Sequence, residues 1–261
     1  VWNAFMTRPR ADQDPLVSFA PEGWSEGLII KNGNNWTDVF RHLPLRNTGR
    51  QVGEQPHWLR SNVRHPAGFD DYWRPSSTTD RLDAVAVPNL TCSGWYDLFM
   101  VQALNNLPEI RRNAKNETAR EHQHLIIGPW GHMLGESIGD LVFGDEADLD
   151  LAEARADWYR HWLTDEDTGV EDWPFLKIFV MGDNQWRNEQ EWPLERTEFT
   201  NFYFHSGGSA NSRTGDGRLN INPPSVEPMD DYVYDPEFPV PSVGGYWSFL
   251  TPCGPCEQGE V

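Results

Sequence analysis

Leu90-Thr91-Cys92-Ser93-Gly94-Trp95-Tyr96-Asp97 and, further along, Leu125-Ile126-Ile127-Gly128-Pro129-Trp130-Gly131-His132 share one layout. In each, a short apolar run passes through glycine to an ionisable residue. Runs of this length between turn signals read as buried strands. The strand candidates are Ala84 to Ser93, with Pro88 marking the start rather than the middle, then His124 to Gly128 and Phe175 to Met181. Between them, Phe99 to Ile110 carries apolar residues at 99, 100, 103, 104, 107 and 110, which is helical spacing. Leu151 to Leu163 places Leu151, Ala154, Trp158 and Trp162 on one helical face. Short strands alternating with helices predict an α/β fold with a parallel sheet.

The flanks read differently. Residues 1–78 have no sustained period and are rich in Pro, Gly, Asn and Trp, with short helical pieces such as Trp36 to Leu43. They are expected to form a cap or lid. After Pro193 the character turns to β or extended chain: Thr200 to His205 alternates aromatic and polar residues. Gly207-Gly208-Ser209 and Thr214-Gly215-Asp216-Gly217 are turns. The segment 196–261 is too short for a complete sandwich.

Composition narrows the function. The 261 residues suffice for a sizeable core, and 13 Trp with 13 Phe argue against disorder despite a hydrophobic content of only 38%. A net charge of −19 makes nucleic acid an unsuitable partner, because phosphate binding needs a basic face. No apolar run is long enough to cross a membrane, and the start at Val1 has no signal layout, so a cytoplasmic setting is the expected one. Lysine is confined to Lys31, Lys115 and Lys177. Abundant carboxylates with scarce lysine fit a protein kept soluble in high salt, or an acidic protein from a GC-rich genome. Cys253-Gly254-Pro255-Cys256 copies a thioredoxin dithiol but lacks the strand before and the helix after that would acidify the first thiol. It reads as a turn.

Asp97 and His132 carry the chemistry. Acid and then histidine at the carboxyl ends of neighbouring strands is the order of an α/β hydrolase, in which the nucleophilic serine comes first. An imidazole titrating near neutrality takes a proton from the nucleophile and returns it to the leaving group, and the acid fixes its tautomer. The plainer readings are a loop histidine beside Gly-Pro and an N-cap for the helix starting near Leu98. Order and placement together favour the pair. Trp95, Tyr96, Phe99 and Trp130 flank it and could line an acyl pocket, with Phe99 the foremost candidate; the alternative is core. His122 and His124 have no nearby Cys and read as structural rather than as metal ligands. Asp70-Asp71 and the acidic run Asp140 to Asp150 lack calcium-loop spacing. No cofactor or metal is expected.

Ser93-Gly94-Trp95-Tyr96-Asp97 with Gly128-Pro129-Trp130-Gly131-His132 resembles the CocE/NonD-type serine hydrolases: cocaine esterase, glutaryl-cephalosporin acylase and α-amino-acid ester hydrolase, grouped with the X-Pro dipeptidyl-peptidases. The likeness extends to His65-Pro66 with Asp70-Asp71-Tyr72-Trp73, to Phe179-Val180-Met181-Gly182 with Asn184 and Trp186-Arg187, and to Trp192-Pro193. It continues through Tyr234-Asp235-Pro236, Gly244-Gly245 and Gly254-Pro255-Cys256-Glu257-Gln258.

The resemblance implies an α/β hydrolase with a helical cap and a β jelly roll, cleaving esters, amides or X-Pro peptides through an acyl-enzyme. It divides the chain into a cap remnant (1–78), the C-terminal part of the hydrolase domain (79–195) and the opening of the jelly roll (196–261). It makes Asp97 the acid, His132 the base and Phe99 an acyl-pocket aromatic. The family's serine sits on a Gly-x-Ser-Tyr-x-Gly elbow well upstream of the acid. Of the serines before the acid motif, Ser18, Ser25, Ser61, Ser76 and Ser77, none is expected to sit on an elbow. The expected partners are a small ester, amide or peptide substrate, the serine-bearing N-terminal part of the same enzyme and, less specifically, a second copy of the chain. The alternative is an inactive fragment or a degenerate β-rich binding module.

Overall fold

A computed structural model describes residues 42–44, 46–47, 57–65, 69–132, 134, 138–240, 244 and 254–258. The chain divides into two compact units, Val1–Ser77 and Thr78–Val261. The helical piece expected at Trp36 to Leu43 lies almost wholly outside the described residues.

In the first unit, helix α1 (His57–Arg64) precedes a single turn of 3-10 helix at Arg74–Ser76. The chain between them is organised by Asp70. Its Oδ1 accepts the backbone N–H groups of Tyr72 (3.0 Å) and Trp73 (3.2 Å), and its Oδ2 meets His65 Nδ1. Trp73 Nε1 donates to the His65 carbonyl at 2.8 Å, and Tyr72 stacks on the His65 ring with centroids 4.5 Å apart. Side chains of Asp that bind backbone two and three residues on are the usual organisers of such turns. Asp71 lies 3.8 Å from Arg74.

The second unit is built on a four-stranded sheet ordered β1-β2-β3-β4, from β1 (Asn89–Gly94), β2 (Gln123–Gly128), β3 (Leu176–Val180) and β4 (Gln185–Glu189). The first three strands are parallel, as the alternating pattern predicts. β1 starts directly after Pro88, which lacks a ladder donor, while Thr79–Ala84 coils into 3-10 turns. Between β1 and β2 lie helix α2 (Met100–Asn113) and the short α3 (Glu117–Glu121), which Asn116 caps by accepting the Ala119 N–H at 2.8 Å. Helix α4 (Leu151–Thr164) follows β2, with Asp150 accepting the Glu153 N–H at 2.8 Å.

The central strand β2 is buried along its whole length. Its alternate residues Leu125 and Ile127 pack with Leu104 and Leu107 of α2 and with Phe175, Leu176 and Ile178. Each such side chain contributes about 1.5–3 kcal/mol when fully buried. That cluster fixes the sheet whose strand ends carry the candidate site.

β4 departs from the parallel expectation. It folds back antiparallel on β3, from Leu176 opposite Glu189 to Val180 opposite Gln185. Gly182 (φ 96°) and Asn184 (φ 51°) supply the left-handed backbone of the turn, so the Gly182-Asp183-Asn184 run was a legible hairpin signal. Beyond it, among the described residues, 196–261 shows one two-stranded ribbon, β5 (Tyr203–His205) paired antiparallel with β6 (Arg218–Asn220). The predicted glycine turns are tied together by Asp216, which accepts N–H groups of Gly207 and Ser209 at 3.0 and 3.2 Å. Gly254 (φ 90°) sits so close to Ile138 that a Cβ there would lie 2.1 Å from its methyl carbon, and Asp140 bonds Pro255 and Glu257. The Gly254-Pro255-Cys256 turn is thus a packing device.

Candidate active site

β1 and β2 run side by side in register, with Ser93 opposite Ile127 and Gly94 opposite Gly128. Both ladders end on glycine because the chains crowd where they leave the sheet. A Cβ on Gly94 would fall 2.0 Å from the Trp130 carbonyl oxygen, and one on Gly128 would fall 2.4 Å from the Trp130 ring. The exits stay coupled beyond the sheet. Trp95 N–H donates to the Gly128 carbonyl at 2.9 Å and Tyr96 N–H to the Trp130 carbonyl at 3.0 Å. Asp97 N–H returns to the Gly94 carbonyl at 3.0 Å, closing a turn that swings the carboxylate toward the second strand.

There Asp97 Oδ1 lies 3.1 Å from His132 Nδ1. The Asp97 side chain is 7% exposed and that of His132 28%. Oδ1 also accepts the Phe99 N–H at 2.9 Å, and Oδ2 accepts the Ser93 hydroxyl at 3.2 Å. A carboxylate facing Nδ1 stabilises the tautomer with its proton on that nitrogen, leaving Nε2 as the basic position. Asp97 is not the helix cap: the N-cap of α2 is Phe99, with no side-chain cap, and Asp97 accepts the Phe99 N–H while binding the imidazole.

The four flanking aromatics separate. Phe99 is 56% exposed and sets its ring edge-on to His132, with centroids 5.3 Å apart. Trp130 is 4% exposed, packs on Trp186 of β4 at 5.6 Å and lines a cavity of about 640 Å³ together with His132, Leu134 and Leu149. Trp95 donates its indole N–H to the Phe179 carbonyl at 2.7 Å and packs on the main core. The Tyr96 hydroxyl reaches Met181 Sδ at 3.5 Å, and burial pushes its pKa up.

Three side chains take roles here that their motifs alone do not assign. Ser93 holds the acid. Arg155 of α4 lines the cavity, and burial raises the pKa of the Cys92 thiol against the electrostatic pull of that guanidinium. Trp186 backs Trp130. Ser93 and Trp186 lie within the quoted motifs, whereas Arg155 carries no sequence signal.

Other candidates resolve as structural. His124 is 3% exposed, binds the Pro174 carbonyl through Nδ1 at 2.9 Å and packs on Trp158 and Trp173; burial lowers its pKa. Among the described residues no group of three or more His, Cys, Asp or Glu is placed to hold a metal ion. No described helix is long and apolar enough to cross a membrane.

Contrary to the expectation that no serine before the acid lies on an elbow pattern, one such pattern is present. Gly23-Trp24-Ser25-Glu26-Gly27 spells Gly-x-Ser-x-Gly ahead of the acid. Glu26 stands where the family elbow has Tyr, and Leu28 where it has its last Gly. The segment lies outside the described residues.

Residues 23–134 match the X-Pro dipeptidyl-peptidase (S15) family, and residues 168–244 match the X-Pro dipeptidyl-peptidase C-terminal non-catalytic domain. The second match begins upstream of β3, so strands β3 and β4 fall inside it while hydrogen-bonding into the same sheet as β1 and β2. Cocaine esterase of Rhodococcus sp. (strain MB1 Bresler) is 36% identical over 217 residues, which is 80% of this chain and 36% of that protein. An aminopeptidase from a marine sediment Thaumarchaeota archaeon superposes with a TM-score of 0.52 at 23% identity, covering 73% of this chain and 29% of that one. A CocE/NonD family hydrolase of Staphylococcus aureus gives 0.41 at 17% identity, covering 64% and 27%. The chain thus spans about a third of the length of these relatives.

Proposed function

This chain belongs to the X-Pro dipeptidyl-peptidase (S15) family, and from that premise we propose that Asp97 and His132 are the acid and base of a serine-hydrolase site acting on small esters, amides or X-Pro peptides. The observation that carries the reading is the 3.1 Å approach of His132 Nδ1 to Asp97 Oδ1 at the ends of two adjacent parallel strands. His132 takes the proton of a serine hydroxyl through Nε2 as that oxygen attacks the carbonyl. It then returns the proton to the leaving oxygen or nitrogen, and repeats the cycle with water to release the acyl group. Asp97 holds the tautomer and stabilises the imidazolium. Phe99 and Trp130 border the acyl group. On this reading residues 1–78 are a cap remnant, 79–195 the C-terminal part of the hydrolase domain and 196–261 the opening of a jelly roll.

Because Glu26 and Leu28 stand where the family elbow has Tyr and Gly, we propose that Ser25 is not the nucleophile, that a further part of the enzyme supplies it, and that this chain by itself does not turn over esters. A fluorophosphonate applied to the purified chain is expected to leave it unlabelled. Labelling that disappears in Ser25→Ala would overturn that assignment and give Ser25 the role. In the enzyme as its source makes it, His132→Ala is expected to lower kcat/KM for a p-nitrophenyl ester by about three to four orders of magnitude. An unaltered rate would remove His132 from the mechanism.

A further inference from the structure

Ser93 is the last side chain of β1 before the glycine that the close approach of Trp130 requires. It is 2% exposed. The turn closed by Asp97 N–H on the Gly94 carbonyl brings residues 93 and 97 face to face, and the Ser93 hydroxyl donates to Asp97 Oδ2 at 3.2 Å. The other oxygen, Oδ1, takes the Phe99 N–H and faces His132. The carboxylate is therefore tethered through both oxygens, one from the end of β1 and one from the approach to α2. With one tether its plane could turn about the Cβ–Cγ bond, a torsion with a broad energy well. With two, the oxygen offered to the imidazole is fixed.

We propose that Ser93 is a positioning residue: its hydroxyl locks the Asp97 carboxylate so that Oδ1 alone serves His132. The proposal rests on the reading of Asp97 and His132 as acid and base. It adds a requirement to that reading, a hydroxyl four residues before the acid. An apolar side chain at 93 leaves Oδ2 without that donor on a nearly buried carboxylate, and buried acceptors without donors are costly.

The test reads the imidazole directly. ¹⁵N NMR of His132 in the purified chain is expected to show the Nδ1–H tautomer, with slow exchange of that proton. In Ser93→Ala the share of Nε2–H rises and exchange of the Nδ1 proton quickens about tenfold, the loss expected for one hydrogen bond to a charged group. Ser93→Thr keeps the hydroxyl and restores the original spectrum; Ser93→Cys, a weaker donor, falls between. An unchanged tautomer and exchange rate in Ser93→Ala overturns the proposal. Asp97→Asn separates the two claims. If it shifts the His132 spectrum while Ser93→Ala does not, only the role of Ser93 fails. If neither shifts it, the pairing of acid and base fails as well.

Discussion

Among the described residues two histidine–aspartate pairs look alike at the level of the bond, His65 with Asp70 and His132 with Asp97. In both, a carboxylate oxygen meets Nδ1. The first pair lies within a few residues of one chain segment, with side chains 37% and 42% exposed. Its carboxylate spends its second oxygen on the N–H groups of Tyr72 and Trp73, and the imidazole is covered by the Tyr72 ring. It folds a turn. The second pair spans two strands, its acid is nearly buried, and its imidazole borders a cavity. The difference teaches that the bond alone does not mark a candidate dyad. What matters is a rigid base beneath it and open space beside it.

The largest effect that could break this contrast is on rate. Asp97→Asn in the complete enzyme is expected to lower kcat about 10⁴-fold by supporting the wrong tautomer, whereas Asp70→Asn leaves the chemical step unchanged. Equal losses from both substitutions, measured as single-turnover rates on one ester, would erase the distinction. Next comes stability. Gly94→Ala forces a methyl onto the Trp130 carbonyl and is expected to cost about 3 kcal/mol in urea unfolding. A cost near zero would mean that the two strand exits are not held together as described. The smallest effect belongs to the local pair. His65 holds the Asp70 carboxyl below its ordinary pKa. A lowered folded pKa adds stability above the unfolded carboxylate value and loses it as pH falls through the folded one. Melting temperatures of the parent chain and Asp70→Asn should therefore differ at neutral pH and converge in strong acid. A gap that persists there would assign the effect to packing.

The sequence made the strand ends readable because buried strands, glycines and polar exits follow one another over a few residues. Asp97 and His132 could be paired from order alone. β4 was missed because Gln185 to Glu189 has no apolar run; it is an edge strand recognised only through its turn. Ser93 was missed for another reason. Its value lies in a turn whose geometry depends on Trp130, two residues past the end of the next strand. Phe99 was already the foremost pocket candidate in sequence, two residues past the acid, whereas only hydrogen bonds and packing show Trp95 and Tyr96 turned to the sheet.

The contact between Trp130 and Trp186 also has an optical meaning. Two indoles with centroids 5.6 Å apart and planes inclined by 52° couple their electronic transitions, which produces a paired positive and negative band in far-ultraviolet circular dichroism. One indole stands two residues before His132 and the other on β4. The loop that carries His132 thus adds one component to that signal, beside those of Trp158 with Trp162 and Trp173 and of Trp95 with Trp192, and the difference between the parent spectrum and that of Trp186→Phe isolates it.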